Sequence, residues 1–252
     1  MPSSTPFYYD WTFWTALLAL VAIMLSQLPP VHLLIRPKRL EVEVHSRIRI
    51  THMVGNPYAG LVLSIRNTGG RALRVGSLAL ELTRDGKLLA TLPGLSYYET
   101  QTSQTAVLFV PFTLKPGDTW SHSIYFLNSL DRPAEKQFRQ CASALTKDIQ
   151  ERLTARDPDD KNLVFASPEL VEPFHSIFER LFIWKPGEYV VNLKVDAAPG
   201  SASFSKQYRF TLFESDTQEL EKITDDYKTG GGISYQVATH IGLDIPLSDH
   251  VG

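Results

Sequence analysis

Histidine, cysteine and acidic side chains are the groups of this 252-residue chain that could perform catalysis or hold a metal ion. The histidines stand at positions 32, 45, 52, 122, 175, 240 and 250, and they form no H-x-H or H-x-x-x-H pair. Short spacings of that kind are the usual way to bring two ligands to one metal ion. His45 and His122 fall in predicted strands, where only the fold could make them neighbours. The sequence therefore predicts no metal site.

Two further segments resemble ligand loops but lack essential residues. Asp157, Asp159 and Asp160 lack the glycine and the distal glutamate of a calcium-binding EF-hand loop, so we expect a solvated loop. The glycines 230–232 follow Lys228, whereas in a phosphate-binding P-loop the lysine follows the glycines. A flexible turn is the better interpretation of this triple glycine.

Nucleophiles are equally scarce. No G-x-S-x-G motif occurs, and the single cysteine, Cys141, falls on the apolar stripe of a predicted helix, where a thiol packs as a small hydrophobe. A reactive thiol is the alternative. We predict that the chain is not an enzyme, with no catalytic residue, no metal and no cofactor.

The N-terminal region is predicted to be a membrane anchor. Positions 11–35 carry no formal charge and are followed at once by Arg36, Lys38 and Arg39. A helix of this length would cross a hydrocarbon core of about 30 Å, with Trp11 and Trp14 in the headgroup layer. A cleavable signal peptide would need a basic segment before the apolar run, and residues 1–10 contain none. A buried core helix is the third interpretation, and the absence of a polar face argues against it.

Charge asymmetry around this segment predicts the orientation. Basic residues next to a span stay on the cytoplasmic side, and only Asp10 precedes the apolar run. We therefore expect a single-pass protein of the inner (plasma) membrane, with its N-terminus outside and its C-terminal domain in the cytoplasm. The lone cysteine is compatible with that compartment.

The remainder of the chain alternates between strand and helix patterns. Apolar residues alternate over 40–50, and Asp85-Gly86 is typical of a two-residue hairpin. Over 129–183 the period becomes helical, and Ser167-Pro168 is typical of a helix start. We divide the chain into a short segment 1–10, the helix 11–35, a β-rich domain 36–214 with a two-helix insertion at about 129–183, and a tail 215–252.

Three short motifs carry a family resemblance. Residues 67–70 (NTGG), 114–120 (LKPGDTW) and 186–189 (PGEY) together resemble bacterial membrane-anchored immunoglobulin-like β-sandwich domains. The resemblance covers about 40–128 and 184–214, and the insertion departs from the family pattern. It implies an immunoglobulin-like β-sandwich in which Tyr189 forms a tyrosine corner. An unrelated β-sandwich is the alternative.

Composition and architecture together indicate a binding role. A net charge of −2 and a sequence pI of about 6.4 are not typical of a nucleic-acid-binding surface. We expect a protein-binding or assembly module, with the lipid bilayer and a protein partner as its contacts and the helical insertion as its distinctive surface. The alternative is a ligand sensor or an enzyme whose site is formed by residues distant in sequence. The partner and the oligomeric state are not defined by the sequence.

Overall fold

The computed structural model describes residues 11–27, 36–100, 103, 105–157, 159–233 and 242–250. Within these ranges the chain forms eleven strands: β1 Leu40–Met53, β2 Asn56–Asn67, β3 Leu73–Arg84, β4 Lys87–Tyr98, β5 Val107–Leu108, β6 Phe112–Leu114, β7 Thr119–Leu127, β8 Gly187–Ala198, β9 Phe204–Leu212, β10 Leu243–Pro246 and β11 Ser248–Asp249. The α-helices are α1 Trp11–Gln27, α2 Arg132–Ala155, α3 Pro168–Leu181 and α4 Glu214–Glu221. Short 3-10 helices cover Gly200–Ala202 and Lys222–Thr229.

The strands form one antiparallel sheet in the order β10-β1-β2-β7-β4-β3-β8-β9-β11, with β5 beside β4 and β6 beside β3. Strand β4 joins the two halves of this sheet: Lys87 to Pro93 pairs with β3, and Gly94 to Tyr98 pairs with β7. At Gly94 the backbone of β4 comes close to Leu78. A Cβ added to Gly94 would lie 3.1 Å from the Cβ of Leu78. Close approach of this kind is a common role of a glycine inside a strand.

The opposite seam is closed by the end of the chain. β10 pairs with β1, and β11, one residue further on, pairs with β9. The chain is thus mainly β, with a nearly closed, barrel-like sheet. The predicted immunoglobulin-like β-sandwich is wrong, because at each seam one chain segment, β4 or β10–β11, passes from one half to the other and pairs with a strand in both, so the halves are not two separate sheets.

The N-terminal helix α1 runs from Trp11 to Gln27, a length of 17 residues. Residues 28–35, the rest of the predicted span, lie outside the described part of the chain. None of the helices that the structure describes has both the length and the apolar character needed to cross a membrane. The predicted spanning helix over 11–35 is therefore wrong, and so is the membrane localisation with its assigned orientation.

The core lies inside the sheet and continues beneath the helices. Ile48, Ile65, Leu80, Phe126 and Leu193 point inward from five different strands and are fully buried. This follows from the two-residue period of a strand, which directs alternate side chains to one face. The sheet therefore provides the rigid body on which the helical insertion is held.

Tyr189 fastens the segment that returns from the insertion to β8. Its ring is buried, and its Oη lies 2.8 Å from the carbonyl oxygens of both Ile183 and Lys185. The same oxygen accepts the backbone N–H of Lys185 at 2.9 Å and the Arg84 guanidinium at 3.3 Å. Burial raises the pKa of this phenol, so the hydroxyl keeps its proton. The hydroxyl therefore ties the loop to the strand.

Candidate functional site

Helix α2 is the longest helix of the described chain, and its start is fixed by sequence. The Asp131 carboxylate accepts the backbone N–H of Ala134 at 2.8 Å, which is an N-cap. Pro133 follows in the first turn, where its missing N–H is not needed. The helix then continues for 24 residues, about 36 Å at the usual rise.

One side of α2 packs against the body of the protein. Leu145 is fully buried, and Phe138 and Ile149 contact the same core. The Phe138 ring lies 6.0 Å from the ring of Phe174 on α3, in an edge-to-face arrangement. These positions recur at helical spacing, so the sequence places them on one face. The opposite face is left to solvent.

A polar network holds α2 against the start of α3. Asp148 Oδ2 accepts the backbone N–H of Ser167 at 2.8 Å and lies 3.0 Å from Arg152 Nε. Arg152 in turn donates to Ser167 Oγ at 2.7 Å. The bond from the Ser167 backbone, and then the Arg152 guanidinium, hold the pKa of the Asp148 carboxyl below its usual value. The two helices are therefore joined by an ionised carboxylate.

Helix α3 is fixed to the sheet around a buried histidine. His52, fully buried at the end of β1, packs against the stacked rings of Phe178 and Phe182, with centroid distances of 5.1 and 5.2 Å. Its Nδ1 accepts the Gly55 backbone N–H at 3.0 Å, so Nε2 carries the proton and donates to the Leu220 carbonyl oxygen at 2.9 Å. A histidine with both ring nitrogens bonded to backbone is a structural residue here rather than a base.

The exposed side of α2 carries a row of cations. We call it the α2 basic face, formed by Arg132, Lys136, Arg139, Gln140, Ser143 and Lys147, all exposed. These residues line a shallow concavity of about 700 Å³. Their spacings of three, four or seven residues place them along one side of the helix. From Arg132 to Lys147 the face extends about 22 Å at the usual helical rise.

The cations of this face are only partly neutralised. Arg139 pairs with Glu135 at 2.6 Å, and Lys147 approaches Glu151 at 3.7 Å. Among the described residues no carboxylate pairs with Arg132 or Lys136. Ion pairs between exposed groups one helical turn apart contribute about 0.3–0.5 kcal/mol, so a better acidic partner could replace them. The face is thus suited to contact an acidic surface.

The residues predicted to form a membrane anchor lie at two places. Trp11 and Trp14 are 83% and 46% exposed on α1. Arg36 and Lys38 line a shallow pocket of about 530 Å³ together with Arg71. Arg39 is exposed just before β1, and its carbonyl oxygen accepts the Thr68 N–H at 3.1 Å. The structure therefore brings two of the predicted residues together and adds Arg71, which the sequence did not indicate.

The chemistry-bearing residues of the sequence are dispersed. Among the described residues, no group of three or more His, Cys, Asp or Glu side chains could hold a metal ion. Cys141 is half-buried on the inner side of α2 and contacts the core. Asp157 and Asp160 accept backbone N–H groups two residues further on, at 3.0 and 2.9 Å. That pattern is an ordinary Asx turn.

The glycine turn at 230–232 and two of the histidines are further residues that the sequence analysis considered as possible ligand-binding groups. Gly230 ends the 3-10 helix Lys222–Thr229 with φ +79°. A glycine in this left-handed conformation commonly closes a helix. His32 and His240 lie outside the described residues.

The α2 basic face was missed by sequence reasoning, although its signal was present. Arg132, Lys136 and Arg139 already stand at one-turn spacing in the sequence. The apolar stripe indicates which side of the helix is buried, but it does not show what the exposed side contacts. Only the structure shows that this side stays uncovered by the rest of the described chain.

Comparison with known proteins adds little to this description. No protein-family model matches the chain, and no curated protein matches it. A solved structure, described as the crystal structure of a protein from Archaeoglobus fulgidus, is 10% identical and covers 70% of this chain and 97% of that chain. Its TM-score of 0.27 is too low to support an argument about fold or function.

Proposed function

We propose that the protein is a non-enzymatic protein-binding or assembly module whose contact surface is the α2 basic face. The main support for this proposal is that Arg132 and Lys136 are exposed and form no ion pair with any of the described residues. The helix is held rigidly from behind by Leu145 and by the Asp148 network. A rigid helix with a charged outer face meets a complementary surface without the entropy loss of ordering a loop.

The proposed partner presents an acidic protein surface. Complementary charges accelerate association and fix the orientation of two proteins. Nucleic acid is a poorer fit, because Glu135 and Glu151 stand next to the cations and the whole chain has a net charge of −2. An acidic helix or loop can place its carboxylates between these glutamates, whereas a regular row of phosphates would approach them.

The chemistry of the face supports binding rather than catalysis. Its side chains offer guanidinium, ammonium, amide and hydroxyl groups, with Glu135 at the edge. It contains neither an imidazole nor a thiol, the groups that most often act as base or nucleophile near neutral pH. These donors can bind carboxylates without transforming them.

Charge reversal on the face tests the proposal. The variant Arg132→Glu/Lys136→Glu/Arg139→Glu is compared with Arg66→Glu/Arg71→Glu/Lys115→Glu, which reverses three exposed cations elsewhere. Both triple variants change the net charge equally. Tagged wild-type protein and both variants are isolated from their native cells at low salt, and recovered proteins are quantified by mass spectrometry.

We expect a protein that wild-type and control recover in near-equal amounts to be lost about tenfold or more from the face variant, because like charges oppose each other at an interface. Raising the ionic strength should release the same protein from the wild type, since salt screens exposed charges. Equal recovery by the face variant would contradict the proposal. Recovery of nucleic acid in place of protein would also contradict it.

A further inference from the structure

The last strands of the chain occupy a seam between β1 and β9. We call residues 243–249 the closing segment; it comprises β10, Leu247 and β11. β1 pairs with β2 from Leu40 to Met53, but with β10 only from Arg47 to Ile50. β9 pairs with β11 only at Tyr208 and Arg209. The closing segment therefore pairs with its neighbours over far fewer residues than β1 pairs with β2.

The charges of the segment and of the seam are complementary. The Asp244 carbonyl oxygen accepts Arg47 Nε at 3.3 Å and Nη2 at 2.9 Å, and its carboxylate lies 3.5 Å from Arg49 Nη1. At the other end, Asp249 Oδ1 lies 2.9 Å from Lys206 Nζ. The acids come from the segment and the cations from the two strands that receive it. The segment thus carries an acid near each end, and each acid lies beside a cation of a strand that receives the segment.

Apolar burial within the segment is small. Ile245 is 8% exposed and stands opposite the fully buried Ile48, whereas Leu243 and Leu247 remain half-buried. The segment also leaves space at the seam: a cavity of about 410 Å³ lies between Ile245 and the end of β9, bordered by Phe210 and Phe213. Elements with few buried apolar contacts open at lower free energy than the whole domain.

We propose that the closing segment is an exchangeable strand, and that the seam between β1 and β9 accepts the same segment from a second copy of this chain. The segment is the one peptide already shown to fit the seam in register and charge. In a reciprocal exchange each copy gives and receives the same residues, so every contact of the seam is preserved. An extended strand added to an open sheet edge is a common mode of recognition.

Chain length sets a limit on the exchange. Nine residues, 234–242, connect Ile233 to the first residue of the closing segment. A chain of nine residues reaches at most about 30 Å. The exchange is therefore open only to a copy whose seam lies within that reach of Ile233. The exchanged form requires two chains, so its proportion rises with protein concentration.

Cysteines placed across the seam test the proposal. Arg49 and Asp244 are cross-strand partners. In a Cys141→Ser background, one preparation carries Arg49→Cys and a second carries Asp244→Cys. The two are mixed at increasing concentration and oxidised with diamide, and inter-chain disulfides are identified by non-reducing electrophoresis and peptide mass spectrometry.

The matched control uses Arg66→Cys mixed with Thr119→Cys. These positions are also exposed cross-strand partners, but they lie in the long ladder between β2 and β7. Chains that meet by random collision join equally at both pairs, whereas strand exchange favours the seam. Arg47→Cys with Pro246→Cys provides a second seam pair if either single variant is poorly folded.

We expect several-fold more disulfide joining residue 49 of one chain to residue 244 of another than joining 66 to 119, with the excess increasing with concentration. Equal yields at the seam and control pairs would overturn the proposal, because the closing segment would then stay in its own chain.

Discussion

The carboxylate of Asp148 on α2 accepts the backbone N–H of Ser167, the residue that precedes α3, at a distance of 2.8 Å. The two residues are 19 positions apart in sequence, so the bond closes the loop between the helices. Arg152 contacts both of them and completes the network. The orientation of the α2 basic face therefore depends in part on one ionised carboxylate.

Acid should weaken this junction. The pKa of Asp148 is lowered in the folded protein, so its contribution to stability is fully present above the pKa of the unfolded chain, about 4, and is lost as the pH falls through the lower folded value. We predict that wild type is more stable than Asp148→Asn at neutral pH and that this difference shrinks below about pH 4. Urea unfolding across this range measures it.

The exposed Asp225 gives a control, because its side chain forms no hydrogen bond or ion pair with the described residues. Asp225→Asn removes one exposed carboxylate without breaking a contact, so it should leave the free energy of unfolding at neutral pH close to that of the wild type. If Asp148→Asn followed the wild-type acid profile in parallel, the junction would not depend on the charge of Asp148.

Gly55 and Gly86 lie in turns with the same backbone conformation, so comparing them separates the cost of backbone strain from the cost of a steric contact. Gly55 and Gly86 both have positive φ, +79° and +74°, and each follows a residue that also has positive φ. A Cβ on Gly55 would lie 2.6 Å from the Phe178 carbonyl oxygen, whereas a Cβ on Gly86 meets nothing within 4 Å. Gly86→Ala should cost about 1–2 kcal/mol from the left-handed backbone alone. Gly55→Ala should cost a further ~1–3 kcal/mol, because α3 must move away.

Denaturant unfolding of the two alanine variants checks this prediction. The difference between them measures the close approach of the β1–β2 turn to α3, since the backbone strain is common to both. Equal destabilisation would mean that α3 yields freely at this contact.

Removal of the Tyr189 hydroxyl should destabilise the protein. Tyr189→Phe removes the hydroxyl that lies 2.8 Å from the carbonyl oxygens of Ile183 and Lys185 and that is one of two acceptors of the Lys185 backbone N–H. We predict a loss of about 1–3 kcal/mol in the free energy of unfolding, the usual result when a buried partner is left unsatisfied. Thermal or urea unfolding at neutral pH measures it.

The same substitution at Tyr227 should behave differently. Tyr227 is fully buried, and its Oη has no hydrogen-bond partner among the described residues. Burial raises the pKa of this phenol, so it remains neutral. Tyr227→Phe should therefore change stability by less than about 0.5 kcal/mol or increase it slightly, since an unsatisfied polar atom is removed. Marked destabilisation would show that this hydroxyl has a partner.

Local features of the fold were predictable from sequence because they depend on nearby residues. The Asp85-Gly86 turn, the helix start at Ser167-Pro168 and the inner stripe of α2 are encoded within a few positions. The hydroxyl tie of Tyr189 also acts over only a few residues. In each case the residue types alone restrict the backbone.

Closure of the sheet could not be predicted in the same way. Arg49 pairs with Asp244, 195 positions later, and a pattern of two short strands in a tail does not show where they pair. The change of partner of β4 at Gly94 could not be predicted either, because a glycine in a strand indicates an irregularity but does not show which strand pairs next. The absence of charge over 11–35 did not establish a helix long and apolar enough to cross a membrane among the described residues. The basic face required knowledge of which side of α2 stays exposed.

Site-specific photocrosslinking shows whether the α2 basic face contacts an acidic protein in the cell. A benzophenone amino acid replaces Gln140 or Ser143 on the α2 basic face, and Ser121, exposed on β7, serves as the control position. After irradiation in native cells, adducts are resolved by electrophoresis and identified by mass spectrometry.

We expect a discrete adduct with one acidic protein at positions 140 and 143, and no adduct with that protein at 121. The adduct should be lost when Arg132, Lys136 and Arg139 are replaced by glutamate. An adduct with the same protein at 121 but not at 140 or 143, or one that survives charge reversal, would contradict the assignment of this face as the binding surface.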